Sequence, residues 1–204
     1  MQEGLPMIVP VRKIMFAKYV QDWCKLAYGE RLLKSGEKRY TNPNGCRMYG
    51  TRKECPPKAE FFPDIANLDG YRQMDVPMLT DTFVYELVDE HEPTMFLVIE
   101  EFNLTSHMEK LRKIHEDWSD KQLACVYYYQ PSLNKRLRES VEKFIRTEKP
   151  LDPIVLEKPE ANGVNLFATC AYHGVVLKRV YPLNVVKKMC MIVKSKFSVG
   201  AWFV

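Results

Sequence analysis

The segment Cys46-Arg-Met-Tyr-Gly-Thr-Arg-Lys-Glu-Cys55-Pro56-Pro57 restricts the backbone more tightly than any other stretch of this chain. Its cysteines stand nine positions apart, with Gly50 between them and two prolines directly after the second. Proline removes an amide hydrogen that a helix needs, and glycine punctuates regular structure, so the segment does not form a helical face. It reads as a loop that folds back and brings two sulfurs together. A third cysteine, in Trp23-Cys24, lies 22 positions before Cys46. Thiolates gathered in this way bind soft metals, and the expectation is a zinc or iron–sulfur site. The plainer alternative is three unrelated free thiols on a loop that serves only the fold.

The redox compartment bears on that choice. No apolar run approaches the roughly 20 residues of a membrane span, and Met1 to Pro10 lacks the basic flank of a signal peptide. The expectation is a cytoplasmic protein with no membrane association, in which clustered cysteines serve as metal ligands or catalytic thiols rather than disulfides. Cys125, Cys170 and Cys190 sit within apolar stretches and read as small buried hydrophobes. The net charge of +4 is unevenly spread: Arg12 to Lys58 holds 12 Lys and Arg against 4 Asp and Glu. Such an excess attracts anionic substrates or nucleic acid. It also offsets the charge of three thiolates, which needs no partner.

With 204 residues the chain has the length of one domain, 1–204. Met7 to Val11 reads as an edge strand interrupted by Pro10. Lys13 to Leu26 reads as a helix, with Ile14, Phe16, Ala17, Val20 and Trp23 at helical steps and Cys24 near its last turn. Gly29 to Tyr40 reads as an exposed insertion. A turn of helix is expected around Asp64 to Leu68. Strands are expected at Phe83 to Val88, Thr94 to Phe102, Pro153 to Leu156, Val175 to Val180 and Val185 to Val193. Thr105 reads as the cap of a helix from Ser106 to Ile114. Ser119 starts a second helical stretch reaching Glu148 that Pro131 kinks or divides. Asn162 to Tyr172 reads as a helix ended by Gly174. The fold class is therefore α/β or α+β, a mixed sheet covered by helices with a cysteine-bearing loop region.

Cys24, Cys46 and Cys55 supply three soft ligands without the C-x2-C knuckle of common zinc ribbons. Cys55-Pro56 matches the Cys-Pro that ends ferredoxin-type motifs, which favours an iron–sulfur cluster, 4Fe-4S, with zinc as the alternative. Three ligands leave a coordination position open to chemistry, whereas a fourth ligand favours structure or electron transfer. Cys170 and His173, an i, i+3 pair, are the candidates for that fourth ligand. Arg47, Arg52 and Lys53 are the candidates to bind a small anionic substrate. No phosphate-binding loop, Gly-x-Gly-x-x-Gly, His-Glu-x-x-His or Gly-x-Ser-x-Gly occurs, so any catalysis is expected at the metal.

Trp23-Cys24, Asn42-Pro43-Asn44-Gly45-Cys46, Tyr49-Gly50 and Cys55-Pro56-Pro57 together resemble an uncharacterised bacterial and archaeal family of predicted metal-binding proteins. That family carries Trp-Cys, then Asn/His-Pro-x-Gly-Cys-Pro-Asn-Tyr-Gly, then Cys-Pro-Pro. His115 to Gln122, Tyr128-Tyr129-Gln130 and Pro159 to Asn165 extend the resemblance over most of the chain. Arg47 and Met48 stand where proline and asparagine are expected, Asn42 where histidine is expected, and Gly29 to Tyr40 is inserted. The resemblance implies metal binding and no particular reaction.

The remaining conspicuous residues have ordinary readings. His115, Trp118 and Gln122 fit a capping and packing junction. Tyr127 to Tyr129 suggest base stacking, but consecutive helical residues point in different directions, so at least one is expected in the core. Glu160 reads as a helix cap or a general acid/base. Lys135, Arg136, Arg138 and Lys143, mixed with Glu139 and Glu142, read as a solvated helix face. The leading expectation is an iron–sulfur protein, catalytic if one iron is open, by Lewis-acid or sulfur-transfer chemistry. A zinc-stabilised module binding nucleic acid or a protein partner is the alternative, and an electron-transfer partner with four protein ligands is the third.

Overall fold

The computed structural model describes residues 6–32, 38–76, 81–177 and 184–194. In chain order these form β1 (Met7–Pro10), β2 (Lys13–Ala17), α1 (Lys18–Asp22), a 3-10 turn (Trp23–Lys25), β3 (Tyr28–Leu32) and β4 (Lys38–Asn42). After the cysteine loop come α2 (Phe62–Ile65), β5 (Tyr71–Met74), β6 (Thr82–Leu87), β7 (Met95–Asn103), α3 (Leu104–Arg112) and α4 (Asp120–Leu123). The chain continues through α5 (Gln130–Glu148), β8 (Pro153–Leu156), a 3-10 turn (Pro159–Asn162), α6 (Leu166–Tyr172) and β9 (Val185–Lys194).

The fold is α+β, and its sheets are antiparallel rather than mixed. A four-stranded sheet runs β1-β7-β9-β8, a three-stranded sheet β2-β6-β5, and β3 pairs with β4; every ladder is antiparallel. No helix among the described residues serves as the crossover a parallel pair requires. β7 is buried on both faces, which its unbroken Phe-Leu-Val-Ile run demands. Leu97 and Ile99 join the main core with Val11, Phe16 and Met191, while Val98 joins a second core with Cys190 and Ile192. α5 closes that second core through Leu137, Val141 and Phe144, spaced four and three residues apart. Pro131 stands in the first turn of α5, where a missing amide hydrogen costs nothing, so it divides the helical stretch.

Four readings change. Lys13–Ala17 is a strand, not the start of a helix: Ile14 and Phe16 are fully buried at alternate positions and pair with β6. The helix occupies only Lys18–Asp22, so Cys24 does fall in the closing turn. α3 begins at Leu104 and is capped by the side chain of Asn103, which accepts from Ser106 N at 2.9 Å, rather than by Thr105. Gly29 to Tyr40 contributes to the β3–β4 ladder, with residues 33–37 outside the described residues. Residues 175–177 form no strand, and 178–180 lie outside the described residues.

Candidate metal centre

The cysteine loop is stitched to the end of α1 by backbone contacts. Cys46 N donates to Cys24 O at 2.7 Å. Gly45 makes this approach possible: its φ is +80°, and a Cβ there would stand 2.4 Å from Cys24 O. Any other residue would clash with backbone that has no room to yield. The loop then closes on itself, with Gly50 N donating to Pro56 O at 2.7 Å ahead of the cis Pro56–Pro57 bond. Cys55 N donates to Arg52 O, and Cys55 O accepts from both Lys58 N and Ala59 N. Lys25 adds a clamp, pairing with Asp22 and lying over the Tyr49 ring, 5.4 Å from its centroid.

A second segment closes over α1 from the far end of the chain. Gln21 Nε2 donates to Ala59 O and to Ala161 O, Asn162 Nδ2 donates to Glu60 O, and Ala17 N donates to Gly163 O. The Pro159–Asn162 turn and the cysteine loop thus share α1 as a common support.

All six cysteines are free thiols. Cys55 is buried, and Cys24 and Cys46 are half-buried. Burial raises the pKa of Cys24, and the neighbouring Cys46, Cys55 and Glu160 raise it further, while Lys158 lowers it. The three cysteines therefore occupy one electrostatic environment. They are neighbours rather than a closed ligand set: among the described residues no three His, Cys, Asp or Glu side chains converge as ready ligands. Three thiols from two distant stretches offer the chemistry that soft metals prefer, without side chains already arranged as ligands among the described residues.

The candidates for a fourth ligand have other employment. His173 Nε2 accepts from Arg12 N at 2.9 Å, and Nδ1 donates to Thr169 O at 2.7 Å, so both ring nitrogens are committed to backbone. Cys170 is fully buried with its Sγ 3.6 Å from Met189 Sδ, and burial pushes its pKa up to about 11. Glu160 acts electrostatically on both Cys24 and Cys170. Its side chain as a whole is exposed, yet it borders a cavity of about 400 Å3 with Leu166 and Phe167. Loss of water around the carboxylate raises its pKa, while a hydrogen bond from its own backbone and the charge of Lys188 lower it.

Beside the loop lies a cleft of about 900 Å3. Arg52 and Lys53 border it, whereas Arg47 is exposed and does not line it. Lys58 and Lys158 add two cations that sequence reasoning missed. Lys158 adjoins the Pro159 to Asn165 stretch, the one hint of its position, but lies 100 residues from Lys58. His115, Trp118 and Gln122 form the expected junction: His115 stacks on Trp118 at 3.8 Å, and Gln122 Oε1 accepts from Ser119 N. Tyr129 is buried against Phe102, while Tyr127 is 82% exposed.

Among the described residues no helix is long and apolar enough to cross a membrane. Comparisons with protein-family models, with curated proteins and with solved structures return no match.

Proposed function

We propose that Cys24, Cys46 and Cys55 hold a metal centre, an iron–sulfur cluster of the 4Fe-4S type, beside a cleft that admits a small anionic substrate. The observation that supports this reading is the backbone docking of the cysteine loop on the end of α1, Cys46 N to Cys24 O at 2.7 Å, which brings together two cysteine-bearing stretches 22 positions apart. A cluster held by three thiolates supplies one iron open to an oxygen or sulfur donor, and with it Lewis-acid or sulfur-transfer chemistry. The chain's part is binding and orientation. Arg52 and Lys53 hold the anion at the cleft wall, and Lys58 and Lys158 raise the positive potential there. Lys158 also favours the thiolate at Cys24, the form that ligates.

Zinc on the same thiols is the second reading, with the basic N-terminal third contacting nucleic acid or a protein. The burial of Cys55 and the loop's docking on α1 favour it, because a structural metal stabilises the fold directly. Metal and acid-labile sulfide analysis with an absorption spectrum, on protein purified without oxygen, separates the two. Iron, sulfide and a broad visible band are expected, and Cys46→Ala or Cys55→Ala should abolish them. Retention of metal by both variants would refute the site. Stoichiometric zinc without colour, together with steeply salt-dependent nucleic-acid binding, would establish the second reading.

A further inference from the structure

β8 is the terminal strand of the four-stranded sheet and pairs only with β9, so its outer edge is open among the described residues. The cleft beside the cysteine loop runs along that edge, and five consecutive residues, Ile154 to Lys158, border it. Ile154, Val155 and Leu156 belong to β8, where side chains alternate between faces, so all three border one cavity where it meets the strand's backbone; Glu157 and Lys158 follow the strand. The alternation is visible within β8: Ile154 and Leu156 pack into the main core, while Val155 lines a second cavity against α5. At about 3.3 Å per residue the four-residue edge extends for about 13 Å.

The opposite wall is the cysteine loop, and its charge selects the occupant. Arg52, Lys53 and Lys58 from the loop, with Lys158 beyond β8, enter no ion pair found among the described residues. Of the three carboxylates bordering the cleft, Glu157 is already paired with Arg138, leaving Glu54 and Glu60 against four cations. We infer that the cleft is a docking groove for an extended acidic peptide segment, which adds to the free edge of β8 as a further antiparallel or parallel strand. Main-chain hydrogen bonds to β8 hold the segment, and its carboxylates meet Arg52, Lys53, Lys58 and Lys158. The groove stands whether or not the cysteines bind metal. If they do, the anionic group delivered beside them belongs to a protein segment.

The test is fluorescence anisotropy of the full chain with a labelled peptide of alternating Glu and Val. Binding is expected, and N-methylation of one alternate set of its amides should abolish it while methylation of the other set is tolerated. Arg52→Glu and Lys158→Glu lie at exposed positions, and each should weaken binding about tenfold with an unchanged far-UV spectrum. Failure to bind, or binding indifferent to methylation of either set, would overturn strand addition. Displacement of the peptide by inorganic phosphate or free glutamate at equal affinity would instead mark a small-anion site and overturn it too. So would a dimer in sedimentation that persists in saturating peptide, since a second copy would then own the edge. Titrating both chelator-treated and as-purified protein separates this inference from the metal reading, because metal analysis and peptide binding can each fail alone.

Discussion

At the level of single residues, a buried charged pair with high stakes lies away from the cysteines. Glu100 is buried in β7, where Arg136 of α5 donates to Oε2 at 2.8 Å and Ser140 donates to Oε1 at 2.6 Å. Arg136→Ala strands a buried carboxylate and should cost about 3–5 kcal/mol in chemical denaturation, whereas exposed pairs such as Lys135–Glu139 should barely register. His173→Asn loses backbone anchors at both ring nitrogens and should cost about 1–3 kcal/mol. It should leave metal stoichiometry unchanged; a fall in stoichiometry would restore His173 as a ligand.

Protonation of Cys24 gives a pH dependence with a definite sign. Its folded pKa is raised above the ordinary thiol value of 9.0. The folded state therefore holds this proton more tightly than the unfolded chain. The associated stability is fully present below pH 9.0 and is lost as pH rises through the folded value. Metal binding displaces the proton, so metal affinity should increase with pH, with proton release on loading. Isothermal titration in buffers of different ionisation enthalpy would read the released protons, and none released would contradict ligation by Cys24.

At the level of elements, two glycines with positive φ separate close approach from simple strain. Gly45→Ala drives a methyl into the carbonyl of Cys24, whereas a methyl at Gly174, where φ is +71°, would meet nothing within 4 Å. Gly174→Ala should cost about 1–2 kcal/mol from backbone strain alone. Gly45→Ala should cost more and release the loop, read as faster alkylation of Cys46 in the metal-free protein. Sequence legibility follows a similar division. β7, β8, β9, α5 and the cysteine loop are readable because runs of apolar residues or Pro and Gly signals specify them locally. β2 is not, since Ile14, Phe16 and Ala17 satisfy helical and strand spacing alike, and pairing with β6 decides between them. The four-residue β5 carries too little pattern to be seen at all. Of the candidate site, the sequence points to the three cysteines and to Arg52 and Lys53, which border the cleft, whereas Arg47 does not. The places of Lys158 and Glu160 are not, because nothing local brings position 160 to position 24.

At the level of the whole molecule, Phe16 connects the cores to the site. It is fully buried and contacts Phe61, Phe62, Phe83 and Tyr85, the first two of which closely follow the cysteine loop. Phe16→Ala should cost about 3–5 kcal/mol and lower metal retention with it, measurable by denaturation and by metal content of the same sample. Hydrogen exchange should be slowest in β7 and β9, whose ladder spans nine residue pairs at the centre of the sheet.

The seam where residues 15–21 meet residues 159–165 also sets a timetable. Ala17 bonds to Gly163, Gln21 to Ala161, and Asn165 to Met15, so α1 gains its final support from residues made long after it. During synthesis Cys24, Cys46 and Cys55 leave the ribosome more than 100 residues before that support exists. A nascent chain halted before residue 159 should therefore present all three thiols to alkylating reagents, and one extended past residue 165 should shield Cys55 first. Until then the three thiols depend on the reducing power of their surroundings rather than on the protein.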